Sequence, residues 1–312
     1  MIAIDVKELT KRYAGRAVVD RVSFQVPSSQ IFGLLGPNGA GKTTTIKILT
    51  GLIRPTAGQV FVLGKDLSRS PIEIKRHIGH VYANMAFYPQ LTGPENLRFL
   101  GSFYPLGRRD LEARIAELLD FVGLSEEKRK KAGAYSQGMT QRLGIARALL
   151  HDPDVLFFDE ATSGIDIEGT NLIRSYVCDL RVQGKTICVA SHKLDEIEYI
   201  CDRVGLLDHG RLIALGTPAE MKASLRGVLH KYLVRVATPI QNLEGRDARV
   251  LFLKDANVIL SSQDLLADLH LRFGDCVCEV DPSLEEVFIW LLHHSLSPRA
   301  KEEEPSKLLS AQ

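Results

Sequence analysis

The feature that most constrains the fold is a glycine-rich segment that directly follows an apolar run. Ile31 to Leu35 is a continuous apolar stretch, and the eight residues from Gly36 to Thr43 read Gly-Pro-Asn-Gly-Ala-Gly-Lys-Thr. Residues 43–52 then have helical character. A buried strand, a tight turn and a helix in this order bring backbone N–H groups and the positive end of a helix to one point. The segment therefore predicts an α/β core with a phosphate-binding loop.

Several groups in this loop suit a bound nucleotide. The glycines let backbone N–H groups converge on phosphate oxygens. Lys42 can reach the β and γ phosphates, and the Thr43 hydroxyl can ligate Mg²⁺. A glycine-rich turn with an incidental lysine is the alternative, and the strand before the loop and the helix after it disfavour it. The predicted nucleotide-binding residues of the loop are Gly36, Asn38, Gly39, Ala40, Gly41, Lys42, Thr43 and Thr44.

A second apolar run, Val155 to Phe158, ends in Asp159 and Glu160. A buried strand that ends in Asp can hold the Mg²⁺ shell beside a phosphate loop, and the next carboxylate can orient and deprotonate water. Two acids at a strand end are common by chance, but together with the phosphate-binding loop they indicate a site for nucleotide hydrolysis. We therefore predict Asp159 as a Mg²⁺ ligand and Glu160 as the general base.

Composition adds few constraints. The chain has 312 residues, 45% of them hydrophobic, and 39 Lys plus Arg balance 38 Asp plus Glu. Net charge therefore indicates neither nucleic acid nor an anionic membrane as a partner, and excludes neither. No apolar run approaches the roughly 18 to 20 residues that span a bilayer, and the first residues lack the pattern of a signal peptide. We expect the chain to stay in the cytosol.

Tyr135-Ser136-Gln137-Gly138-Met139 precedes a helix shortly before the strand that ends at Asp159. Here the chain resembles the ATP-binding cassette (ABC) ATPases, whose signature motif is usually Leu-Ser-Gly-Gly-Gln and takes this Tyr-Ser-x-Gly-Met form in exporter-type cassettes. The resemblance also assigns other motifs of that family, which follow in the same chain order. They are Tyr13 for adenine stacking, Ser163-Gly164-Ile165-Asp166 for the D-loop, and His192 for the switch histidine.

The resemblance covers about residues 2–222 and implies a mechanism and an architecture. It implies ATP and Mg²⁺ as cofactors, Glu160 and His192 as catalytic residues, and two cassettes that pair head to tail. Ser136, Gln137 and Gly138 would then close over ATP bound to the partner, with Asp166 in the D-loop. The expected fold is a P-loop NTPase with an N-terminal antiparallel β-subdomain, a helical insert at about residues 84–150, an α+β domain at 223–292 and a disordered tail at 293–312.

The closing segment Pro-Ser-Leu-Glu-Glu-Val-Phe, residues 282–288, resembles that of cassettes serving drug, antibiotic or polysaccharide exporters. It implies a separate transmembrane permease, a homodimer or a cassette heterodimer, no nucleic acid, and a position at the inner face of the cell membrane. Two alternatives are a soluble cassette ATPase in DNA repair or translation, and a GTPase or small-molecule kinase. The first usually carries coiled-coil insertions or two cassettes, and the second has no use for the signature segment.

The chain departs from the family at two positions. Ala83 stands where the Q-loop glutamine is expected, so that Asn84 or water would have to complete the metal shell, and Ala161 replaces the proline that usually follows the catalytic Glu. We predict that ATP hydrolysis survives but is slow or depends on the partner.

Overall fold

A computed structural model of the chain describes residues 1–83, 85–224, 229–236, 248–253, 256–261 and 264–295. The chain divides into two compact units, Met1–Leu212 and Ile213–Gln312. The boundaries at residues 222 and 292 that the sequence indicates stay predictions. Asn84 and residues 296–312 of the predicted tail lie outside the described residues.

The first unit contains both strands and helices, in an order that places most helices between parallel strands. Its strands are β1 (Ile2–Tyr13), β2 (Arg16–Pro27), β3 (Ile31–Leu35), β4 (Ala57–Val62), β5 (Lys65–Asp66), β6 (Ile78–Tyr82), β7 (Val155–Asp159), β8 (Thr186–Ser191), β9 (Arg203–Asp208) and β10 (Arg211–Gly216), which begins in this unit. Its helices are α1 (Lys42–Leu49), α2 (Pro71–Lys75), α3 (Gly93–Gly101), α4 (Arg108–Phe121), α5 (Gln137–Leu149), α6 (Ile167–Val182) and α7 (Leu194–Ile200).

Within the described residues, the strands form a four-stranded sheet in the order β2-β1-β4-β5 and a six-stranded sheet in the order β10-β9-β3-β8-β7-β6. The first is antiparallel, whereas β9, β3, β8, β7 and β6 pair in parallel. All residues of β3, β7 and β8 are buried. A parallel strand covered on both faces has no polar side, which explains the continuous apolar runs in the sequence.

The register of the parallel strands positions the site. Leu35 at the end of β3 aligns with Ser191 at the end of β8, and Asp159 at the end of β7 aligns with Ala190. The phosphate loop, Glu160 and His192 each follow one of these strand ends. Because parallel strands bring their carboxyl ends to one edge of the sheet, residues that are far apart in sequence meet there.

The helical insert lies between β6 and β7 and comprises α3, α4 and α5. Leu111, Ile115, Leu118 and Leu119 of α4 are buried on one face, and Gly123 follows with φ +63°, which ends the helix. Before α3, the Thr92 hydroxyl and the Glu95 carboxylate form a reciprocal capping box.

The second unit contains α8 (Pro218–Ser224), β11 (His230–Val234), β12 (Ala248–Leu253), β13 (Ala256–Ser261), α9 (Leu266–Phe273), β14 (Val277–Val280) and α10 (Leu284–Ser295). Its described strands form an antiparallel sheet in the order β12-β13-β11-β14. Tyr232, Ile259 and Leu269 are fully buried in its core. Ser283 and Glu286 exchange the two hydrogen bonds of a capping box at the start of α10.

Along the described ranges, every helix is too short or too polar to cross a lipid bilayer.

Candidate active site

The phosphate loop follows a backbone path that requires glycine. Gly39 and Gly41 have φ values of +85° and +104°, in the left-handed region that glycine adopts without steric cost. A Cβ atom on Gly41 would lie 2.6 Å from the carbonyl oxygen of Val18, and one on Gly36 would lie 2.3 Å from that of Leu207. The glycines that predicted the loop are therefore needed for its conformation.

Lys42 begins α1 and holds its ammonium group across the loop. The side chain is only 5% exposed. Its Nζ donates to the carbonyl oxygens of Gly36 at 2.7 Å and Pro37 at 3.2 Å, and lies 3.5 Å from Oε1 of Glu160. A buried ammonium group needs such partners. Phosphate oxygens can replace them because they offer more negative charge at the same place.

Thr43 and Asp159 form an oxygen-rich corner beside the loop. The Thr43 hydroxyl donates to Oδ1 of Asp159 at 3.1 Å. Burial raises the pKa of Asp159 above its usual range, the charge of Glu160 adds to the rise, and the hydrogen bond from Thr43 opposes it. A divalent cation would stabilise this carboxylate, and Mg²⁺ prefers hydroxyl and carboxylate oxygens together with substrate phosphates. The two residues therefore fit the predicted Mg²⁺ site.

Glu160 is held in a strained and well-defined conformation. Its φ is +52°, a region that costs a non-glycine residue about 1–3 kcal/mol. Its backbone N–H donates to Ala190 at 2.9 Å, and its carbonyl accepts from the N–H of Ser163 at 3.0 Å. Its Oε2 lies 2.7 Å from Nδ1 of His192. With Oε1 near Lys42, both oxygens of the carboxylate have a fixed neighbour.

These groups surround one cavity of about 340 Å³. Of the predicted residues, it brings together Asn38, Gly39, Gly41, Lys42, Thr43, Thr44, Glu160 and His192, and Val18 and Ser163 complete the lining. Sequence reasoning missed Val18, which is an ordinary strand residue by its pattern. Asp159 instead lines an adjoining cavity with Thr43, Glu160 and Ala83.

Comparison with known proteins identifies the chain. The ABC transporter family profile matches residues 19–163. The chain is 39% identical over 224 residues to the linearmycin resistance ATP-binding protein LnrL of Bacillus subtilis (strain 168), covering 72% of each chain. It is 39% identical over 318 residues to the daunorubicin/doxorubicin resistance ATP-binding protein DrrA of Streptomyces peucetius, covering 96% of each chain. The chain belongs to the ABC transporter ATP-binding proteins.

A solved dimeric ABC cassette in a post-hydrolysis state, bound to ADP and phosphate, superposes with a TM-score of 0.63 at 25% identity, over 69% of this chain and 98% of that one. The predicted P-loop NTPase fold and the ABC ATPase assignment are thus confirmed. The relatives support the transporter interpretation, and not the alternative of a repair or translation ATPase.

The signature residues of this ABC cassette lie outside the cavity that contains Lys42. Ser136 caps α5 and accepts from the N–H of Met139 at 3.2 Å. Gln137 donates from Nε2 to the carbonyl oxygen of Ser163 in the D-loop at 2.9 Å. Gly138 lies beside Ile165, since a Cβ there would be 4.0 Å from its Cγ2. Within one chain, therefore, the signature segment contacts the D-loop and not the phosphate loop.

Asp166 and Tyr13 lie outside the cavity that contains Lys42. Asp166 caps α6 by accepting from the N–H of Gly169 at 2.8 Å. Tyr13 is 49% exposed, with the Lys11 ammonium 5.1 Å from its ring centroid, and it does not line the cavity. Adenine stacking by Tyr13 and a D-loop role for Asp166 stay predictions.

Ala83, where the resemblance places the Q-loop glutamine, directly follows β6. Its N–H donates to the carbonyl oxygen of Asp159 at 3.1 Å, so its backbone lies at the predicted metal site while its methyl group offers no ligand. The proposed substitute, Asn84, lies outside the described residues.

Proposed function

We propose that this ABC cassette hydrolyses Mg-ATP at the cavity of Lys42, Glu160 and His192, as one half of a head-to-tail pair, and drives export through a separate permease. The observation that carries the proposal is the position of Glu160. Its two carboxylate oxygens lie 3.5 Å from Lys42 Nζ and 2.7 Å from His192 Nδ1. The carboxylate is thus placed between a phosphate-binding cation and a histidine.

ATP binding would change the partners of Lys42. A γ-phosphate in the loop attracts the ammonium group more strongly than the carbonyls of Gly36 and Pro37 do, because it carries charge. Lys42 then turns from Glu160 to the phosphate, and Oε1 of Glu160 becomes free to accept a proton from water. His192, hydrogen-bonded to Oε2, keeps the carboxylate oriented and brings its other ring nitrogen towards the γ-phosphate.

Thr43 and Asp159 are the residues that would hold Mg²⁺. When bound, the ion neutralises charge on the β and γ phosphates. Asp159 must be ionised for this role, which its burial opposes and the cation favours. Water or a partner group would complete the shell that Ala83 leaves open.

A second chain would supply the other side of the site. The N-terminus of α5, capped by Ser136, carries a partial positive charge that suits a γ-phosphate, yet in one chain it contacts the D-loop. The dimeric architecture of the related cassette supports this pairing. A homodimer and a heterodimer with a second cassette both satisfy it.

The contact with the permease is proposed for Pro89–Phe103. Tyr88 packs edge to face against Phe99 at 5.0 Å, and Phe99 packs against Phe103 at 5.5 Å. Tyr88 is nonetheless 50% exposed and Phe103 is 73% exposed. A cluster of ordered and exposed aromatic rings is typical of a protein interface. The chain would then lie in the cytoplasm at the inner face of the membrane.

The class of cargo is proposed from the relatives, whose names refer to linearmycin and to daunorubicin and doxorubicin. An antibiotic or drug-like compound exported by the permease is consistent with them.

The full chain should co-purify with a membrane protein and release phosphate from Mg-ATP. Phe103→Ser should reduce both the recovery of the membrane protein and its stimulation of turnover. Val182→Ser is the matched control, because Val182 is also highly exposed and lies on α6. Equal loss in the two variants would contradict the proposed contact, and a wild-type chain that neither binds nor hydrolyses ATP would contradict the function.

A further inference from the structure

We propose that Glu196, which lies outside the cavity, positions Glu160 and His192 relative to each other and thereby sets the rate of hydrolysis. Glu196 lies on α7 and is 3% exposed. It does not line the cavity of Lys42, and no family motif named above includes it. The inference rests on the proposed function, because it assigns a positioning residue to the same reaction.

One oxygen of Glu196 joins the segment that follows β7 to the last residue of β8. Oε2 accepts from the hydroxyl of Thr162 at 2.8 Å and from the hydroxyl of Ser191 at 3.1 Å. Both hydroxyl groups belong to buried residues. Both hydroxyl groups therefore donate to the same oxygen atom. A carboxylate accepts stronger hydrogen bonds than a neutral group does, which makes this link between Thr162 and Ser191 a strong one.

Lys193 closes the network from the other side. Its backbone N–H donates to the Ser191 hydroxyl at 3.1 Å, and its Nζ donates to the carbonyl oxygen of Thr162 at 3.1 Å. Two connections therefore hold the segment after β7 to the end of β8 and the residues that follow it. One runs through the Glu196 carboxylate, and the other runs through the Lys193 ammonium group. Arg174 lines the same small cavity as Glu196, but its guanidinium pairs with Asp195 at 2.8 Å.

The residues that Glu196 connects are close in sequence to Glu160 and His192. Thr162 lies two residues after Glu160, and Ser191 directly precedes His192. The regular pairing of β7 with β8 ends at Asp159 and Ala190, and the N–H of Glu160 adds one more hydrogen bond, to the carbonyl oxygen of Ala190. This backbone pairing does not fix the side chains of Glu160 and His192. The hydrogen bonds of Glu196 connect Thr162 and Ser191 beside these side chains. Glu160 Oε2 lies 2.7 Å from His192 Nδ1.

A purely structural role would not require a carboxylate here. Burying a charge is costly, and an amide or apolar group could fill the same space at lower cost. The carboxylate is useful if two hydroxyl groups must be fixed tightly. Small displacements of catalytic groups can cost as much as about 100-fold in rate, whereas the groups that bind ATP, Lys42 and Thr43, do not contact this network.

Glu196→Ala should therefore lower kcat about 10- to 100-fold and change KM for ATP and nucleotide affinity by less than about twofold. Thr162→Val, which removes one donor and keeps the shape, should act in the same direction, and Thr162→Ser should restore turnover. Asp202→Asn is the control for general damage. Asp202 lies two residues after the end of α7 and accepts from the N–H of Ile31 at 2.8 Å, away from Glu160 and His192.

The decisive measurement is a double-mutant cycle with the full chain. If Glu196 acts through His192, adding Glu196→Ala to His192→Ala should lower kcat much less than it does in the wild type. The ¹H–¹⁵N signals of the His192 ring should also shift in Glu196→Ala and Thr162→Val, and stay unchanged in Asp202→Asn. This readout needs no turnover, and Thr162→Val provides it if Glu196→Ala does not fold.

The outcomes separate the two hypotheses. A wild-type chain that does not bind ATP would contradict the proposed function. A wild-type chain that binds ATP, with unchanged ring signals and unchanged kcat in Thr162→Val, would overturn only the role of Glu196. Equal losses of kcat with and without His192 would do the same, since they would show a general structural effect.

Discussion

Replacement of Glu160 by Gln is the sharpest test of the hydrolytic mechanism. The substitution keeps the length and shape of the side chain and leaves the left-handed φ of +52° unchanged. The amide oxygen can still face Lys42, and the amide NH₂ can still donate to His192 Nδ1. What is lost is the negative charge and the ability to take a proton from water.

The expected loss of turnover follows from that single change. A positioned general base contributes about 10²- to 10⁴-fold in rate, which corresponds to about 2.7–5.4 kcal/mol in activation free energy at 1.36 kcal/mol per tenfold change. ATP affinity should not fall, and we expect it to rise, because Lys42 loses a negative neighbour 3.5 Å away. Nucleotide-bound dimers should accumulate, since the step that reopens them is slow.

Phosphate release, nucleotide binding and light scattering of the same sample measure these effects together. Glu126→Gln is the matched control, because it makes the same chemical change at an exposed position in the helical insert. Turnover that stays within a few-fold of the wild type would refute the role of Glu160. Monomers that persist with bound ATP, even with the permease supplied, would refute the head-to-tail pairing.

Three further predictions concern the geometry of the site. Glu160→Gly should be more stable than Glu160→Ala by about 1 kcal/mol, because only glycine relieves the left-handed backbone, and urea unfolding that ranks the variants equally would contradict the strain. Gly36→Ala should weaken nucleotide binding more than about tenfold in a fluorescence titration, because its Cβ would lie 2.3 Å from the carbonyl oxygen of Leu207 and the loop must shift. Burial raises the pKa of Asp159 in the folded chain. The protonated carboxyl group therefore stabilises the fold fully at pH values below the pKa of the unfolded chain, and this stabilisation is lost as pH rises through the pKa of the folded chain. Asp159→Asn should therefore raise the melting temperature of the nucleotide-free chain near neutral pH and should lose that gain at acidic pH. It should also abolish Mg²⁺-dependent hydrolysis. A gain in melting temperature that does not depend on pH would contradict this assignment.

The fold of the first unit could be predicted from the sequence because its central strands are buried on both faces. Such strands appear as unbroken apolar runs, as in residues 31–35 and 155–158, and a glycine-rich turn marks the end of the first while two acids mark the end of the second. The second unit was harder to predict, because β13 lacks the alternating pattern of a half-buried strand. In Ala256–Ser261 the apolar residues are consecutive and few, and Ile259 becomes a core residue only by pairing with Tyr232.

The candidate site also contains residues that could be predicted from the sequence and one that could not. Lys42, Thr43 and Glu160 could be predicted because each lies in a motif whose spacing reflects a local turn. Glu196 could not be predicted, because its function depends on contacts with Thr162 and Ser191 that only the tertiary structure creates. Its position beside another acid on an amphipathic helix is the pattern of an ordinary surface residue.

Under the proposed head-to-tail pairing, the distribution of the predicted residues leaves the site of each chain incomplete without its partner. One chain gathers the groups that bind phosphate and activate water, whereas Ser136 and Asp166 serve as helix caps away from that cavity. Gln137 binds Ser163, three residues after the proposed base. If Ser136 contacts ATP on a partner chain, a force on that signature segment is transmitted through Gln137 to the segment that carries Glu160. Nucleotide in one site would thereby change the geometry of the base in the other, through contacts already present within each chain.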